Sequence, residues 1–240
     1  MVHRTVYFLI IIFFTSCKLI SVGQGRALAS EPLIGTVGTF NEDIISAEFT
    51  QAGLPQLDEK IKLAVGNKFF NNRSLRKFNS SVGKEKQKLQ IVDSINLKPG
   101  YFVMEISDKI GLIKALNQPS NKGLKDYLEA TKNNQILTTV EIYFPPQISS
   151  LLENATEIYL VNNNKSSYSL ELLNNDGTTK IVNFNEGNSF GFEFMAFCWK
   201  ENYKRNTDIA AFRNLNSPCP GSTFKNPDKI YDDDIFDKLN

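Results

Sequence analysis

Hydrophobic and polar residues alternate along several segments after residue 100, as they do in strands with one buried face. The longest alternation runs over residues 136–144, and a shorter one runs over residues 102–106. Pro145 and Pro146 end the longer segment. A helix is expected to begin there, because proline is tolerated in a first helical turn.

Residues 156–200 predict a run of antiparallel strands. Residues 158–161 are apolar on both faces, which favours a central strand. Residues 168–172 alternate and lead into Asn174-Asn175-Asp176-Gly177, where Asp-Gly suits a tight hairpin turn. On the strand that follows the hairpin, Cys198 lies on one face together with Phe190, Phe192, Phe194 and Ala196. The Cys198 side chain is therefore expected to point into the core.

Three other segments show helical spacing. The first predicts an amphipathic helix from residue 57 to residue 69, the second a helix over residues 124–131, and the third a short helix over residues 207–212. Ser120 or Asn121 is the expected N-cap of the second helix. The predicted fold class is α+β, a single domain over residues 56–225 with a mainly antiparallel sheet and a few short helices.

An uninterrupted apolar run, Val6–Phe14, follows a start that contains Arg4 and no acid. At about 1.5 Å per residue a helix of this length crosses only half of a hydrocarbon core of about 30 Å. A basic start, a short apolar run and small residues after it are the layout of a secretory signal peptide. Residues 1–16 are therefore predicted to direct export.

The junction Phe13-Phe14-Thr15-Ser16-Cys17 resembles the lipobox of bacterial lipoproteins, although Phe14 stands where an aliphatic residue is usual. The resemblance implies that Cys17 is lipidated and becomes the mature N-terminus. Three alternatives stay open: cleavage after Gly23, cleavage after Ala29, and an uncleaved anchor that extends to Ile20.

The segments flanking the domain have distinct compositions. Residues 17–55 are glycine-bearing with little periodicity, which suits a lipidated N-terminus and tether. Residues 73–88 are basic, which would suit a patch for an anionic ligand or lipid headgroup, but a solvated loop is the simpler interpretation. Residues 226–240 form an acidic C-terminal tail without the glycine and oxygen spacing of an EF-hand.

Lipidation of Cys17 would leave Cys198 and Cys219 as an even pair, which in an exported chain predicts a disulfide. The chain-entropy account assigns such a loop about 3 kcal/mol of stabilisation. Two buried free thiols are the alternative. Loss of residues 1–16 would also leave 26 basic and 26 acidic residues. That neutral balance does not favour nucleic acid as a partner.

The only histidine, His3, lies in the predicted signal peptide. A histidine-free mature chain could not carry a Ser-His-Asp triad or an ordinary catalytic zinc site. The sequence contains neither a Walker loop nor a dinucleotide fingerprint. No cofactor and no metal are expected, and no catalytic residue is assigned.

A hydrolase that uses two carboxylates needs no histidine, and its candidate residues here are Glu141, Glu171 and Glu193. The polar faces of half-exposed strands explain these glutamates more simply. Several aromatic residues could instead bind a sugar or a partner, namely Tyr143, Tyr159, Phe197 and Trp199. Trp199 is the candidate binding residue, because it faces away from Phe194 and Ala196 on the predicted strand.

These observations predict an exported, lipid-anchored protein of the cell envelope with a non-catalytic binding or assembly role. Its expected partners are the membrane, through the lipid, and an envelope protein or glycan. The alternatives are a carboxylate-dependent glycan hydrolase of the envelope and a soluble secreted binding protein. Four Asn-X-Ser/Thr sequons leave a eukaryotic secreted glycoprotein as a further alternative.

Overall fold

A computed structural model describes residues 32–42, 47–82, 99–163 and 167–230. The predicted signal peptide, Cys17 and the end of the acidic tail lie outside these residues. The described part is a single domain in which one antiparallel sheet carries four α-helices, as the sequence predicts. The strands are β1 Val37–Glu42, β2 Ala47–Gly53, β3 Ile61–Phe69, β4 Gly100–Ile106, β5 Asn134–Tyr143, β6 Glu157–Asn163, β7 Ser167–Leu173, β8 Thr179–Asn183, β9 Asn188–Glu201 and β10 Thr207–Arg213. The helices are α1 Asn72–Ser81, α2 Lys109–Leu116, α3 Lys122–Ala130 and α4 Pro146–Asn154.

The strand order is β10-β9-β5-β4-β3-β6-β7-β8, and β1 pairs both with β2 and with the start of β5. The predicted hairpin joins β7 to β8. Its turn depends on Gly177, whose φ of 79° is a conformation that residues with a Cβ rarely adopt. The backbone N–H of Asn174 donates to the carbonyl of Thr178 and closes the turn.

The sheet has a core on each face. The larger core combines inward side chains of the central strands with buried leucines of α2, α3 and α4, among them Leu112, Leu128 and Leu152. The smaller core lies under α1 on the opposite face and contains Phe70, Phe78, Val82, Tyr101 and Phe190. Most of β5 is buried on both faces, because it runs through the middle of the sheet. Within the described residues, no helix is long and apolar enough to cross a membrane.

The amphipathic helix predicted over residues 57–69 is wrong, because Ile61–Phe69 forms β3. Ile61 and Leu63 are buried while Lys62 and Ala64 are exposed, so the local pattern has a period of two. Pairing with β4 on one side and β6 on the other holds the segment extended.

The solvated loop expected over residues 73–88 is also wrong in its first part, which forms α1. The side chain of Asn71 accepts the backbone N–H groups of Arg73 and Ser74, both at 2.9 Å, and starts the helix. Phe78 is 2% exposed and fixes α1 on the smaller core. The basic residues after position 82 lie outside the described part of the chain until residue 99.

Two further segments differ from the sequence predictions. The short helix expected over residues 207–212 is wrong, because this segment is β10 and pairs with β9. Strands β1 and β2 bring residues 37–42 and 47–53 into the sheet, so the folded part reaches into the segment assigned to the tether. Gly35, with φ of 85°, donates its N–H to the carbonyl of Leu137 at 2.7 Å and ties this segment to β5.

Candidate functional site: a cavity at the disulfide-pinned end of the sheet

The structure joins Cys198 of β9 to Cys219, with the two Cα atoms 5.7 Å apart. The pairing is the one that the cysteine count predicts. Cys198 is fully buried, whereas Cys219 lies in the irregular segment that follows β10. The bridge therefore fastens the C-terminal segment to the end of a central strand.

The C-terminal segment continues the sheet beyond the start of β5. The pairing of β5 with β9 begins at Gln135 and Ala196. Further along β9, Trp199 pairs instead with Phe224 through two backbone hydrogen bonds of 2.8 Å. The C-terminal segment thus takes the place beside β9 that β5 no longer fills.

Arg213, the last residue of β10, shapes the loop that leads to Cys219. Its Nη1 donates to the carbonyl oxygens of Asn214, Leu215 and Ser217. Burial lowers the pKa of the Arg213 guanidinium, although arginine keeps its charge at physiological pH. The Arg213 guanidinium therefore binds three backbone carbonyl groups of the loop.

The C-terminal turn of α3 lies across from the C-terminal segment at this end of the sheet. Asn133 adopts a φ of 63°, and Asn134 donates its side-chain N–H groups to the carbonyls of Leu128 at 3.1 Å and Thr131 at 2.6 Å. These bonds satisfy carbonyls that the helix leaves open at its C-terminal end. Asn134 is 6% exposed, so its amide belongs to the protein interior.

An ion pair holds α3 against β10. Lys125 of α3 donates to Asp208 of β10, and Asn202 donates to the second carboxylate oxygen at 2.9 Å. Partial burial alone would raise the pKa of Asp208. The hydrogen bonds from Lys125 and Asn202 outweigh that effect and hold the pKa below its ordinary value of 3.8.

A cavity of about 360 Å³ lies between these elements. Its walls are the turn at residues 128–134 and the C-terminal residues 225–228, and the residues between them are Ala196, Phe197, Trp199 and Arg213. Small-molecule sites have volumes of roughly 300–1,000 Å³, so the cavity admits a small ligand.

Asn134 and Arg213, which line the cavity, each have one enclosed polar atom without a hydrogen-bond partner within the described residues. Four buried side-chain polar atoms lack a hydrogen-bond partner within the described residues, and two of them are Asn134 Oδ1 and Arg213 Nε. Buried polar groups are normally hydrogen-bonded, because an unmet donor or acceptor costs about 1–3 kcal/mol. Both atoms are enclosed by the protein and expose almost no surface, so the cavity does not present them to a ligand.

The charged residues around the cavity are mixed in sign with an excess of cations. Lys132 and Lys225 join Arg213 as positive residues of the lining, while Glu129 and Asp228 are the negative ones. The two lysines are exposed and can adjust to a ligand. Arg213 is fixed by its three carbonyl contacts.

The structure places Trp199 in the wall of this cavity and also in the larger core. Only 3% of Trp199 is exposed, and its ring lies 6.2 Å from that of Phe197. Its position within the core leaves little of the ring free for stacking on a ligand.

Comparison with protein families, curated proteins and solved structures finds no match to this chain.

The other residues singled out from the sequence do not meet at this cavity. Glu141 is bound by Lys77 at 2.9 Å and Glu171 by Lys60 at 2.6 Å, while Glu193 is exposed. Four strand positions separate Glu141 from Glu171, which is about 19 Å at the usual strand spacing. None of the three glutamates lines the cavity.

The remaining two aromatic candidates also lie apart. Tyr143 packs against Phe70 and Phe78 in the smaller core. Tyr159 lies on the sheet face away from the larger core, where its hydroxyl donates to Glu157 and the Lys60 ammonium sits 4.2 Å from its ring centre. Sequence reasoning missed Asn134 and Arg213 as residues of the cavity lining. Asn134 at a helix end was a weak signal, and Arg213 had none.

Proposed function

We propose that the chain is an exported, non-catalytic binding protein, held at the cell envelope by a lipid on Cys17, and that its ligand occupies the cavity beside α3. The observation that supports the binding role is the cavity itself, whose volume of about 360 Å³ lies in the range of small-molecule sites. Its lining combines apolar residues with the cations Arg213, Lys132 and Lys225.

Asn134 and Arg213, two polar residues of the lining, do not supply catalysis. An amide does not titrate, and arginine retains its proton at physiological pH. Neither group can therefore act as a general acid or base. The disulfide and the Lys125–Asp208 pair hold the elements around the cavity in place, which keeps its shape fixed for a ligand.

The number of cysteines supports the lipid anchor on Cys17. Cys198 and Cys219 are committed to each other, which leaves Cys17 as the remaining cysteine of the chain. A single acyl chain binds membranes only marginally, but the several chains of a lipoprotein would hold the domain firmly.

Phase separation in a detergent tests the anchor. The chain made by its own cells is expected in the detergent phase, and the Cys17→Ser variant in the aqueous phase. A Lys18→Ser variant is the control and should behave as the wild type. Equal partition of wild type and Cys17→Ser would contradict the anchor. A mature N-terminus at Gln24 or Ser30 would identify a soluble secreted protein.

Trp199 gives an optical test of the cavity, because it is the only tryptophan of the chain and lines the site. The emission spectrum of protein purified from its own cells is expected to change after unfolding, removal of small molecules and refolding. Adding the removed small molecules back should restore the original emission spectrum. An unchanged spectrum would contradict a ligand in the cavity.

A further inference from the structure

The hairpin that joins β9 to β10, with residues 200–206 as its tip, extends beyond the rest of the sheet. The backbone N–H of Asn202 donates to the carbonyl of Asn206 at 2.9 Å and closes the turn. On its other edge, β9 pairs with β5 as far as Ala196 and then with the C-terminal segment at Trp199. Within the described residues, the end of β9 past Trp199 therefore pairs only with β10.

The side chain of Asn202 fixes the backbone of the hairpin tip. It accepts the backbone N–H groups of Lys204 at 2.9 Å and of Asn206 at 3.1 Å. It also donates to Asp208, which Lys125 of α3 binds in turn. The tip is thus tied to a helix. Its exposed side chains can meet a partner without prior ordering of the backbone, which lowers the cost of binding.

The hairpin tip presents an exposed aromatic ring among cations. Tyr203 is 89% exposed, more than any other large hydrophobic residue in the described part of the chain. The ammonium group of Lys204 lies 5.4 Å from the centre of the Tyr203 ring. Lys200 and Arg205 are exposed as well. Glu201 is the only acid of the tip, so three basic residues minus one acidic residue leave a charge of +2.

This combination of an aromatic ring and positive charge matches a lipid surface. Tyrosine is enriched where a membrane meets water, because its ring is apolar and its hydroxyl is polar. Clustered cations are attracted to anionic lipid headgroups. A soluble polyanion would engage the cations but leave the Tyr203 ring in water. An anionic bilayer engages both.

We infer that the hairpin tip docks on the anionic lipid surface of the membrane that holds the chain. The inference rests on the proposed lipid anchor, which brings the tip close to that surface. Even fully extended, residues 18–31 span at most about 50 Å. Because the tether raises the effective concentration of the tip at the membrane, a weak contact is enough to orient the domain.

Docking of the hairpin tip would also place the cavity close to the lipid. Trp199, in the cavity wall, precedes Tyr203 by four residues. The two residues therefore lie at most about 13 Å apart at the usual rise of a strand. A ligand would reach the cavity from the layer next to the lipid headgroups.

Vesicle sedimentation tests the docking with the full mature chain carrying Cys17→Ser, so that no lipid anchor contributes. The vesicles contain either phosphatidylcholine alone or equimolar phosphatidylcholine and phosphatidylglycerol. Partition at low salt should be roughly 25-fold stronger on the anionic vesicles, since each net positive charge adds about fivefold. The preference should weaken as salt shortens the screening length. Equal partition onto the two kinds of vesicle would overturn the inference.

Two variants with the same loss of charge locate the contact. One replaces all three cations of the hairpin tip by glutamine and should lose the preference for anionic vesicles. The control removes as many exposed cations at the opposite end of the sheet, namely by Lys68→Gln, Arg73→Gln and Arg76→Gln. It should keep the preference. An equal loss in both variants would reveal a general effect of net charge and would contradict the assignment to the tip.

Tyr203→Ala separates the aromatic ring from the charge. Partition onto the anionic vesicles should fall several-fold, because the ring no longer enters the interface. Tyr127→Ala, which removes an exposed ring from α3, is the control and should partition as the parent chain. Unchanged partition of Tyr203→Ala would show that the tip attracts anions by charge alone, and a lipid surface would no longer be its assigned partner.

The anchor and the docking fail in different measurements. If phase separation shows no lipid on Cys17 but the unlipidated chain still prefers anionic vesicles, the anchor fails and the docking stands. If the chain is lipidated and the Cys17→Ser variant shows no preference, the docking alone fails.

Discussion

Asparagine side chains act at several places in this fold as substitutes for backbone groups. The side-chain amide of Asn117 bonds both the N–H and the carbonyl of Ile209, at 3.0 and 2.8 Å. Asn121 does the same for Gln56, and Asn162 for Leu57. An amide side chain presents a donor and an acceptor as a peptide group does. These side chains therefore supply hydrogen bonds to backbone N–H and carbonyl groups that are not paired with a neighbouring strand.

Asn121 offers the sharpest test of this role. It is 4% exposed and bonds both Gln56 and the carbonyl of Ala115. Asn121→Ala is expected to lower the free energy of unfolding by about 2–3 kcal/mol, because buried backbone groups lose their partners. Urea denaturation measures the change. Asn154→Ala, which removes one exposed bond to Ser150, should cost far less, and equal effects would contradict the account.

Trp199 is expected to matter for stability as well as for the cavity. Trp199→Ala should lower the free energy of unfolding by about 3–5 kcal/mol, since it removes a large side chain from the larger core. Thermal or urea denaturation checks this. Tyr203→Ala is a matched aromatic control at 89% exposure and should be close to neutral. A stable Trp199→Ala variant would place the ring outside the core.

At the scale of residues, the disulfide could be predicted and the cavity could not. The Cys198–Cys219 pair could be predicted because lipidation of Cys17 leaves only these two cysteines. The enclosure of Asn134 Oδ1 and Arg213 Nε depends on α3, β9 and the C-terminal segment coming together. A sequence does not reveal which polar residues tertiary packing will enclose.

At the scale of elements, β3 shows why helix and strand were confused. Residues 61 and 65 are four apart, as on one helix face, but residues 61, 63 and 65 also alternate. A short apolar segment satisfies both patterns. Pairing with β4 and β6, which are distant in sequence, decides the matter.

The Lys125–Asp208 pair, which joins α3 to β10, predicts a dependence of stability on pH. The pKa of Asp208 is lowered in the folded chain, so its contribution is present above the ordinary value of 3.8 and is lost as the pH falls through the folded pKa. Asp208→Asn should cost about 1 kcal/mol at neutral pH. The difference from wild type should shrink below about pH 4.

Urea denaturation at neutral and acidic pH measures that difference. The control is Asp126→Asn, which breaks the exposed Lys122–Asp126 pair within α3 and should cost no more than about 0.5 kcal/mol. A pH-independent difference for Asp208→Asn would contradict the role assigned to the ion pair.

Loss of the disulfide is expected to lower the free energy of unfolding more than loss of the Lys125–Asp208 pair. The double variant Cys198→Ser, Cys219→Ser should lose about 3 kcal/mol, because 21 positions separate the joined residues and the unfolded chain gains the freedom of that loop. Urea denaturation under non-reducing conditions measures the loss. Ser222→Ala in the same segment is the control. A double variant as stable as wild type would show that Trp199 and Phe224 hold the segment without the bridge.

At the scale of the whole molecule, the class of fold could be predicted but not its strand order. Alternation over residues 136–144 and the Asp176-Gly177 turn indicated an antiparallel sheet, and the structure contains one. The placement of β5 between β4 and β9, and of β3 beside β6, joins segments far apart in sequence. Local patterns carry no information about such pairings.

The cavity is a consequence of this order. β5 starts at Asn134, β9 runs on past it, and the C-terminal segment covers the exposed end of β9 through Phe224 and the disulfide. The cavity lies where two segments share one strand and is therefore built into the topology. Export and lipidation, which concern residues 1–31, remain predictions.

Native mass spectrometry of the protein purified in detergent from its own membranes tests the central claim most directly. One spectrum reports both the covalent mass of the chain and any small molecule bound to it. We predict a chain that begins at an acylated Cys17, contains the Cys198–Cys219 disulfide and carries one non-covalent small ligand. An unmodified chain that begins elsewhere and has no bound ligand would contradict the account.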